Sequence, residues 1–239
     1  MKEVDFMGSI KKPLLVMAAL LVFGSTVHAQ QAGDNIVGIG LANMAPKVSL
    51  GELNSVGPAA PLFNAQTAGA SASAGSVNTL SLSYLHMFTD NVATEFSLGI
   101  PPNMKLDVQL KTSAHPDAAS ADVLTPALVA KYLFNAPTEK FRPYLGLGLT
   151  YASFRNVEAN TADPLVNALG GTSASLSSSW APLYNLGLIY SFSEQLSVNF
   201  SVSYIPLKTT ATFVGSGTTT TGTVDLNPVD TVIRLGIKF

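Results

Sequence analysis

Leu196-Ser197-Val198-Asn199-Phe200-Ser201-Val202-Ser203-Tyr204 decides the fold. Apolar and polar residues alternate through the whole stretch, so one face of an extended chain is greasy and the other is hydroxyl- and amide-rich. A helix would scatter the same residues around its circumference. The pattern recurs along the chain. Leu80, Leu82, Tyr84 and Phe88 oppose Thr79, Ser81 and Ser83. Phe96, Leu98 and Ile100 oppose Glu95, Ser97 and Gly99. Leu128, Tyr132 and Phe134 oppose Ala127 and Lys131, and Leu145, Leu147 and Leu149 oppose Tyr144, Gly146 and Gly148. Tyr184, Leu186 and Leu188 oppose Asn185 and Gly187, and Ile233, Leu235 and Ile237 oppose Arg234 and Gly236. A weaker pattern at Asn35–Ala45 brings the expected number of strands to about eight.

Composition fixes the solvent these strands meet. Only 12% of the 239 residues are charged while 47% are hydrophobic, against roughly 25% charged in ordinary soluble domains. The mean hydropathy is +0.31. The longest apolar run, Leu14–Phe23, is too short to cross a bilayer as a helix. A chain this apolar with no spanning helix crosses a membrane as a closed barrel, because only closure satisfies every backbone group in hydrocarbon. Aromatics near the strand ends suit the lipid–water boundary. A soluble sandwich would alternate too, but it would hide its apolar faces and expose the polar ones.

The first residues read as an export signal. Lys11 and Lys12 precede the apolar run, and Val27-His28-Ala29 supplies a peptidase site, with cleavage expected after Ala29. Residues 1–29 are therefore expected to leave, and 30–239 to form the barrel domain in the outer membrane of a Gram-negative bacterium. Met7 is an alternative start. Connections alternate between short and long. Thr89–Asn91, Asn135–Lys140 and Ser193–Gln195 are short turns, whereas Pro46–Val77, Pro101–Ala121, Asn156–Ser179 and Gly215–Thr223 read as long mobile loops. Short periplasmic turns and long external loops mark an antiparallel up-and-down barrel.

Strand parity sends Glu95, Lys131, Arg142, Asp230, Arg234 and Lys238 inward, since a cation in lipid would cost roughly 2–4 kcal/mol near the midplane. Glu95 and Asp230 are expected to pair with Lys131, Arg142 or Arg234. The expected lumen lining is mixed: Leu85, Met87, Val129, Leu183, Ile189 and Ile205 among Ser97, Ser203, Asn185 and Asn199. Eight strands leave room for side chains or one small ligand, which excludes a wide aqueous pore. Absent cysteine and clustered ligands, no metal or cofactor is expected. A net charge of −2 gives no footing for nucleic acid. Catalysis is not expected either. His28 leaves with the signal, His115 stands before Pro116 in a loop, and His86 faces outward with Ser81 and Ser83 on the opposite face of its strand.

Lys140-Phe141-Arg142-Pro143-Tyr144-Leu145-Gly146-Leu147-Gly148 resembles the F-R-P-Y-x-G-x-G segment of the OmpW/AlkL family of small outer-membrane proteins. Thr125-Pro126-Ala127-Leu128, Tyr132-Leu133-Phe134, Thr89-Asp90-Asn91 and Asp225-Leu226-Asn227-Pro228 are similar to further family segments in the same order. The resemblance implies an eight-stranded barrel that lets small hydrophobic molecules cross the outer membrane and leave sideways through a gap in the wall. Pro126, Pro143, Pro182 and Pro206 would mark that gap, each lacking a ladder donor; strand ends or bulges are the alternative. It also implies that Ile233, Leu235, Ile237 and Phe239 form the signal read by the barrel assembly machinery. Expected partners are outer-membrane lipid, lipopolysaccharide and a small hydrophobic solute. The alternative role is a structural or surface-presenting barrel serving adhesion, phage or colicin binding.

Overall fold

Alternating residues with β-branched and aromatic side chains make strands wherever one face can be buried against its neighbours. The computed structural model describes residues 29–163, 166 and 173–239; the expected signal, apart from Ala29, lies outside them. In chain order the elements are β1 (Asn35–Ala45), β2 (Ser49–Leu50), β3 (Asn54–Val56), helix α1 (Ala60–Thr67), β4 (Ser71–Ala74), β5 (Val77–Met87), β6 (Val92–Gly99), β7 (Asn103–Gln109) and β8 (Ala114–Leu124). They continue with β9 (Ala127–Leu133), β10 (Phe141–Ala159), β11 (Ser173–Leu176), β12 (Ser179–Ser191), β13 (Leu196–Tyr204), β14 (Lys208–Gly215), β15 (Thr218–Asp225) and β16 (Val229–Lys238).

Eight of these close a barrel in the order β1-β5-β6-β9-β10-β12-β13-β16, with β16 pairing back onto β1 and every contact antiparallel. The apolar faces point outward. Ile39, Leu82, Leu128, Leu147, Leu186 and Ile233 are each about half exposed, and they form the lipid-facing band. Aromatic pairs sit where that band ends: Tyr132 with Phe134 and Tyr190 with Phe192 near the short turns, Tyr151 with Trp180 towards the other rim. Amphipathic rings belong at such boundaries.

Among the described residues the long connections are not simply mobile loops; part of the expected loop 156–179 lies outside them. Residues 101–121 contain β7 and most of β8, and 215–223 is a tight hairpin between β14 and β15 turning at Ser216-Gly217. Above the lipid, β4, β7, β8 and the upper part of β10 form one sheet, and β11, β14, β15 and β2 form another, with β3 on β15. Small residues hid this from sequence reading. Ala72, Ala118, Ala119, Ala121 and Ala211 fill the buried positions, and alanine carries little hydrophobic signal. Threonine supplies the strand preference in Thr218–Thr221.

Candidate functional site

The lumen changes character with height. At its short-turn end Ile36, Leu85, Met87, Ala93, Leu133, Tyr144 and Ile189 pack into one cluster, with Met87, Leu133 and Tyr144 wholly buried. Arg142, also wholly buried, closes that end. Its guanidinium donates to the carbonyls of Phe134 (3.3 Å), Asn135 (3.2 Å), Asp90 and Gln30. Lys238 stands beside it at the mouth, on Asp34 Oδ2 at 3.0 Å and the Ala29 carbonyl at 2.9 Å.

Above this lies a charged cross-brace. Glu95 receives Lys131 Nζ at 2.8 Å on one oxygen and Arg234 Nη1 at 3.2 Å on the other. Arg234 also donates to Ser81 Oγ at 3.0 and 2.8 Å. Lys131 donates to Tyr144 Oη at 3.2 Å and sits 4.3 Å from its ring centroid; that hydroxyl donates on to Asn199 Oδ1 at 2.9 Å. Side chains from six strands thus span the bore with most donors and acceptors matched, which a buried ionic network requires.

Three of the six expected members stay out of this brace, Lys238 being held at the mouth by Asp34. Arg142 serves backbone carbonyls, and Asp230 makes no ion pair among the described residues, its Oδ1 lacking a hydrogen-bond partner. Asp230 pairs with Ser203 near the outer end of the wall, above the level of Glu95. Sequence reading missed Ser81, Tyr144 and Asn199 as members. One signal was available: Tyr144 stands opposite Gly187, and a Cβ on Gly187 would fall on the Tyr144 ring. A glycine facing a tyrosine marks a ring that crosses the lumen.

Over the brace opens a chamber of about 620 Å³, counting its open end, floored by Glu95 and Arg234. Ser97, Val129, Leu183, Ser203 and Ile205 line it, and Asp230 overlooks it. Its upper rim meets an apolar cluster of Ala152, Leu207, Ala211, Val224 and Leu226 between the two external sheets. The wall beside the chamber is interrupted twice. Pairing of β6 with β9 ends at Ser97 and Ala127; the next backbone bond is Val123 N–H to the Pro102 carbonyl, 3.0 Å, where β7 and β8 begin to pair. Pairing of β12 with β13 ends at Tyr184 and Tyr204; the next backbone bond is Ser177 N–H to the Thr210 carbonyl, 3.0 Å. Pro126 stands at the first interruption, Pro182 and Pro206 at the second. Pro143 stands apart from both, in a continuously paired stretch near the short turns.

Among the histidines, His86 hydrogen-bonds Asn35 Oδ1 at 2.9 Å and stacks edge-on to Phe88 at the membrane boundary. His115 is not in a loop: it lies in β8, buried, between Ser113 and Asp163. No group of three potential metal ligands occurs among the described residues.

A closed eight-stranded antiparallel barrel with an outward apolar band, a braced bore and tall external sheets is a small outer-membrane barrel. The sequence model of the OmpW family matches residues 31–239, and the chain belongs to that family. Outer membrane protein W of Vibrio cholerae is 31% identical over 228 residues, 95% of this chain and 97% of that protein. Outer membrane protein AlkL of Ectopseudomonas oleovorans is 27% identical, over 85% of this chain and 77% of its own. The crystal structure of outer membrane protein OprG from Pseudomonas aeruginosa matches with a TM-score of 0.76 at 27% identity, covering 89% of this chain and 99% of that one. The protein is an outer-membrane protein.

Proposed function

We propose that the barrel passes small hydrophobic molecules from outside into the outer membrane, through the external apolar mouth and sideways at an interruption of the wall. One observation carries the reading. The bore is filled below the chamber by the Glu95 brace and the Tyr144 cluster, whereas the chamber's lining reaches Leu98, Gly99 and Thr125 at the first interruption. A solute in the chamber is therefore nearer to lipid than to the periplasm. In this reading Pro126, Pro182 and Pro206 keep the ladders open, and Leu85, Met87 and Ile189 belong to the stopper rather than the path. Passage is physical and asks no chemistry of the lumen. The export signal, the contacts with lipid and lipopolysaccharide, and recognition of Ile233, Leu235, Ile237 and Phe239 by the assembly machinery complete the proposal.

The test joins the two edges of the first interruption. Cells carrying Gly99→Cys with Thr125→Cys, which share a face of the wall by continuation of the Ser97–Ala127 register, are compared, oxidised and reduced, for uptake of a medium-chain alkane. Uptake that falls on oxidation and returns on reduction supports lateral exit. Uptake equal to that of cells lacking the protein refutes transport, and uptake indifferent to oxidation refutes this exit.

A further inference from the structure

At the outer tip of the β7–β8 hairpin, Ser113 Oγ lies 2.8 Å from His115 Nε2. On the other side of the ring, His115 Nδ1 lies 3.0 Å from both carboxylate oxygens of Asp163. His115 and Asp163 are buried, at 8% and 7% exposure, while Ser113 is half-buried in the turn. We propose that Ser113, His115 and Asp163 form a nucleophile–base–orienter relay that hydrolyses carboxylic esters of aliphatic acids at the outer face of the barrel. The proposal goes beyond the passage of solutes and does not depend on it.

The geometry assigns each role. A carboxylate on Nδ1 fixes the tautomer that carries its proton there, which leaves Nε2 as an acceptor for the serine hydroxyl. Asp163 is itself held by the Val166 N–H at 3.2 Å, and the turn by Gln109 Nε2, which donates to the carbonyls of Leu110 (2.8 Å) and Ser113 (3.0 Å). The N–H groups of Thr112 and Ser113 donate to no acceptor among the described residues, so they are free to meet a developing oxyanion.

A site for the acyl tail adjoins all three residues. An apolar cavity of about 840 Å³, its mouth included, lies between the external sheets. Leu110, Val108 and Val166 line it: Leu110 N–H bonds to the Ser113 carbonyl at 2.9 Å, Val108 pairs with His115, and Val166 holds Asp163.

The reaction closes without a co-reactant other than water. Ser113 Oγ attacks the ester carbonyl carbon as its proton passes to His115 Nε2. The carbon–oxygen bond to the alcohol breaks, and that proton leaves on the alcohol. Water then attacks the acyl-serine through the same nitrogen, releasing the acid and restoring the hydroxyl.

The whole chain, folded in an ester-free detergent, is treated with a fluorophosphonate probe and separately with p-nitrophenyl esters of increasing acyl length. One label per chain at Ser113 is expected, lost in Ser113→Ala and His115→Ala. The specificity constant is expected to rise by about fourfold per added methylene until the cavity fills. Asp163 is a positioning residue. Asp163→Asn is expected to lower turnover by roughly three to four orders of magnitude and to change the pH profile, because the amide fixes the wrong tautomer. A gel shift on heating reports that each variant retains the barrel. A folded wild-type chain that takes no label, or a label that survives in folded Ser113→Ala, overturns the proposal. A label with no dependence on acyl length overturns the assignment of the cavity.

Discussion

Replacing Glu95 with Gln keeps the shape of the brace and removes its only anion. Glu95, Lys131 and Arg234 are at most 7% exposed at their side chains. Breaking a buried pair by removing one partner costs about 3–5 kcal/mol, chiefly because a charge is left without compensation. Here one carboxylate serves two cations, which argues for a large loss. Against that, Arg234 keeps both contacts to Ser81, and Lys131 keeps the Tyr144 hydroxyl and ring. These place the expected loss near about 3 kcal/mol. With a denaturant slope of about 2–3 kcal/mol per molar, the urea midpoint falls by about 1–1.5 M. Folding into lipid vesicles is followed by the fluorescence of Trp180, the chain's single tryptophan, which faces lipid. A companion variant, Glu95→Gln with Lys131→Met and Arg234→Met, exchanges the network for apolar groups and is expected to recover most of the loss. A midpoint shift below about 0.3 M for the single variant refutes the brace as a source of stability. A triple variant as unstable as the single one refutes the electrostatic reason and leaves packing as the cause.

Three further outcomes follow from the same geometry. Arg142→Met strips a charged donor from four backbone carbonyls and is expected to cost about 3 kcal/mol in the same titration, with faster proteolysis at residues 89–91 and 135–140. Gly187→Ala places a methyl group against the Tyr144 ring and the Phe200 carbonyl; overpacking of this kind costs about 1–3 kcal/mol, and Tyr144→Leu in the same chain is expected to relieve only the part that comes from the ring. In the external sheet, hydrogen bonds from Asn103 Nδ2 (2.9 Å) and Asn156 Nδ2 (2.6 Å) hold the Asp122 carboxyl below the ordinary aspartate value. Its contribution to folding is present above that ordinary value and is lost as pH falls through the depressed one. An NMR titration of Asp122 is expected to give a midpoint below 3.8, rising in Asn103→Ala.

The barrel was legible in sequence because its two faces meet different solvents. In lipid the outward residue of every strand must be apolar, so Leu145-Gly146-Leu147-Gly148 and Leu196–Tyr204 state their parity without ambiguity. Parity also carries through a register. Once Leu128 faces out, Lys131 faces in, and β9 offers it nowhere else to go. Partner choice was not legible. Glu95 reaches Lys131 and Arg234 because β6 lies beside β9 and across the bore from β16, and the height of each residue depends on strand stagger. Asp230 has the right parity and the wrong height. The external sheets escaped for another reason: with water on one side and an alanine-lined interior on the other, Ala118-Ala119-Ser120-Ala121 shows almost no contrast between its faces. The Ser113–His115–Asp163 constellation depends on a contact between residues 48 apart in sequence, and no local pattern announces it.

Contrast of that kind also orders the lumen. The external cavity is lined by Leu, Val, Phe and Ala with Thr67 and Thr220; the chamber below it brings in Ser81, Ser97, Ser201, Ser203 and Asn185; the floor is ionic. A hydrocarbon gains about 0.8 kcal/mol for each methylene it buries in the apolar mouth. It forfeits part of that gain on each step into the hydroxyl-lined chamber, and it cannot displace the Glu95 brace, whose charges it can neither solvate nor pair. Lipid beyond the interruptions at Pro126 and Pro206 restores the full gain. In the proposed passage descent is thus uphill and sideways movement downhill, so the order of polarity along the bore would set the direction of exit. Exchanging that order tests the argument: Ser97→Val with Ser203→Val should deepen retention in the chamber and slow release, and faster release would show that the hydroxyls do not direct the exit.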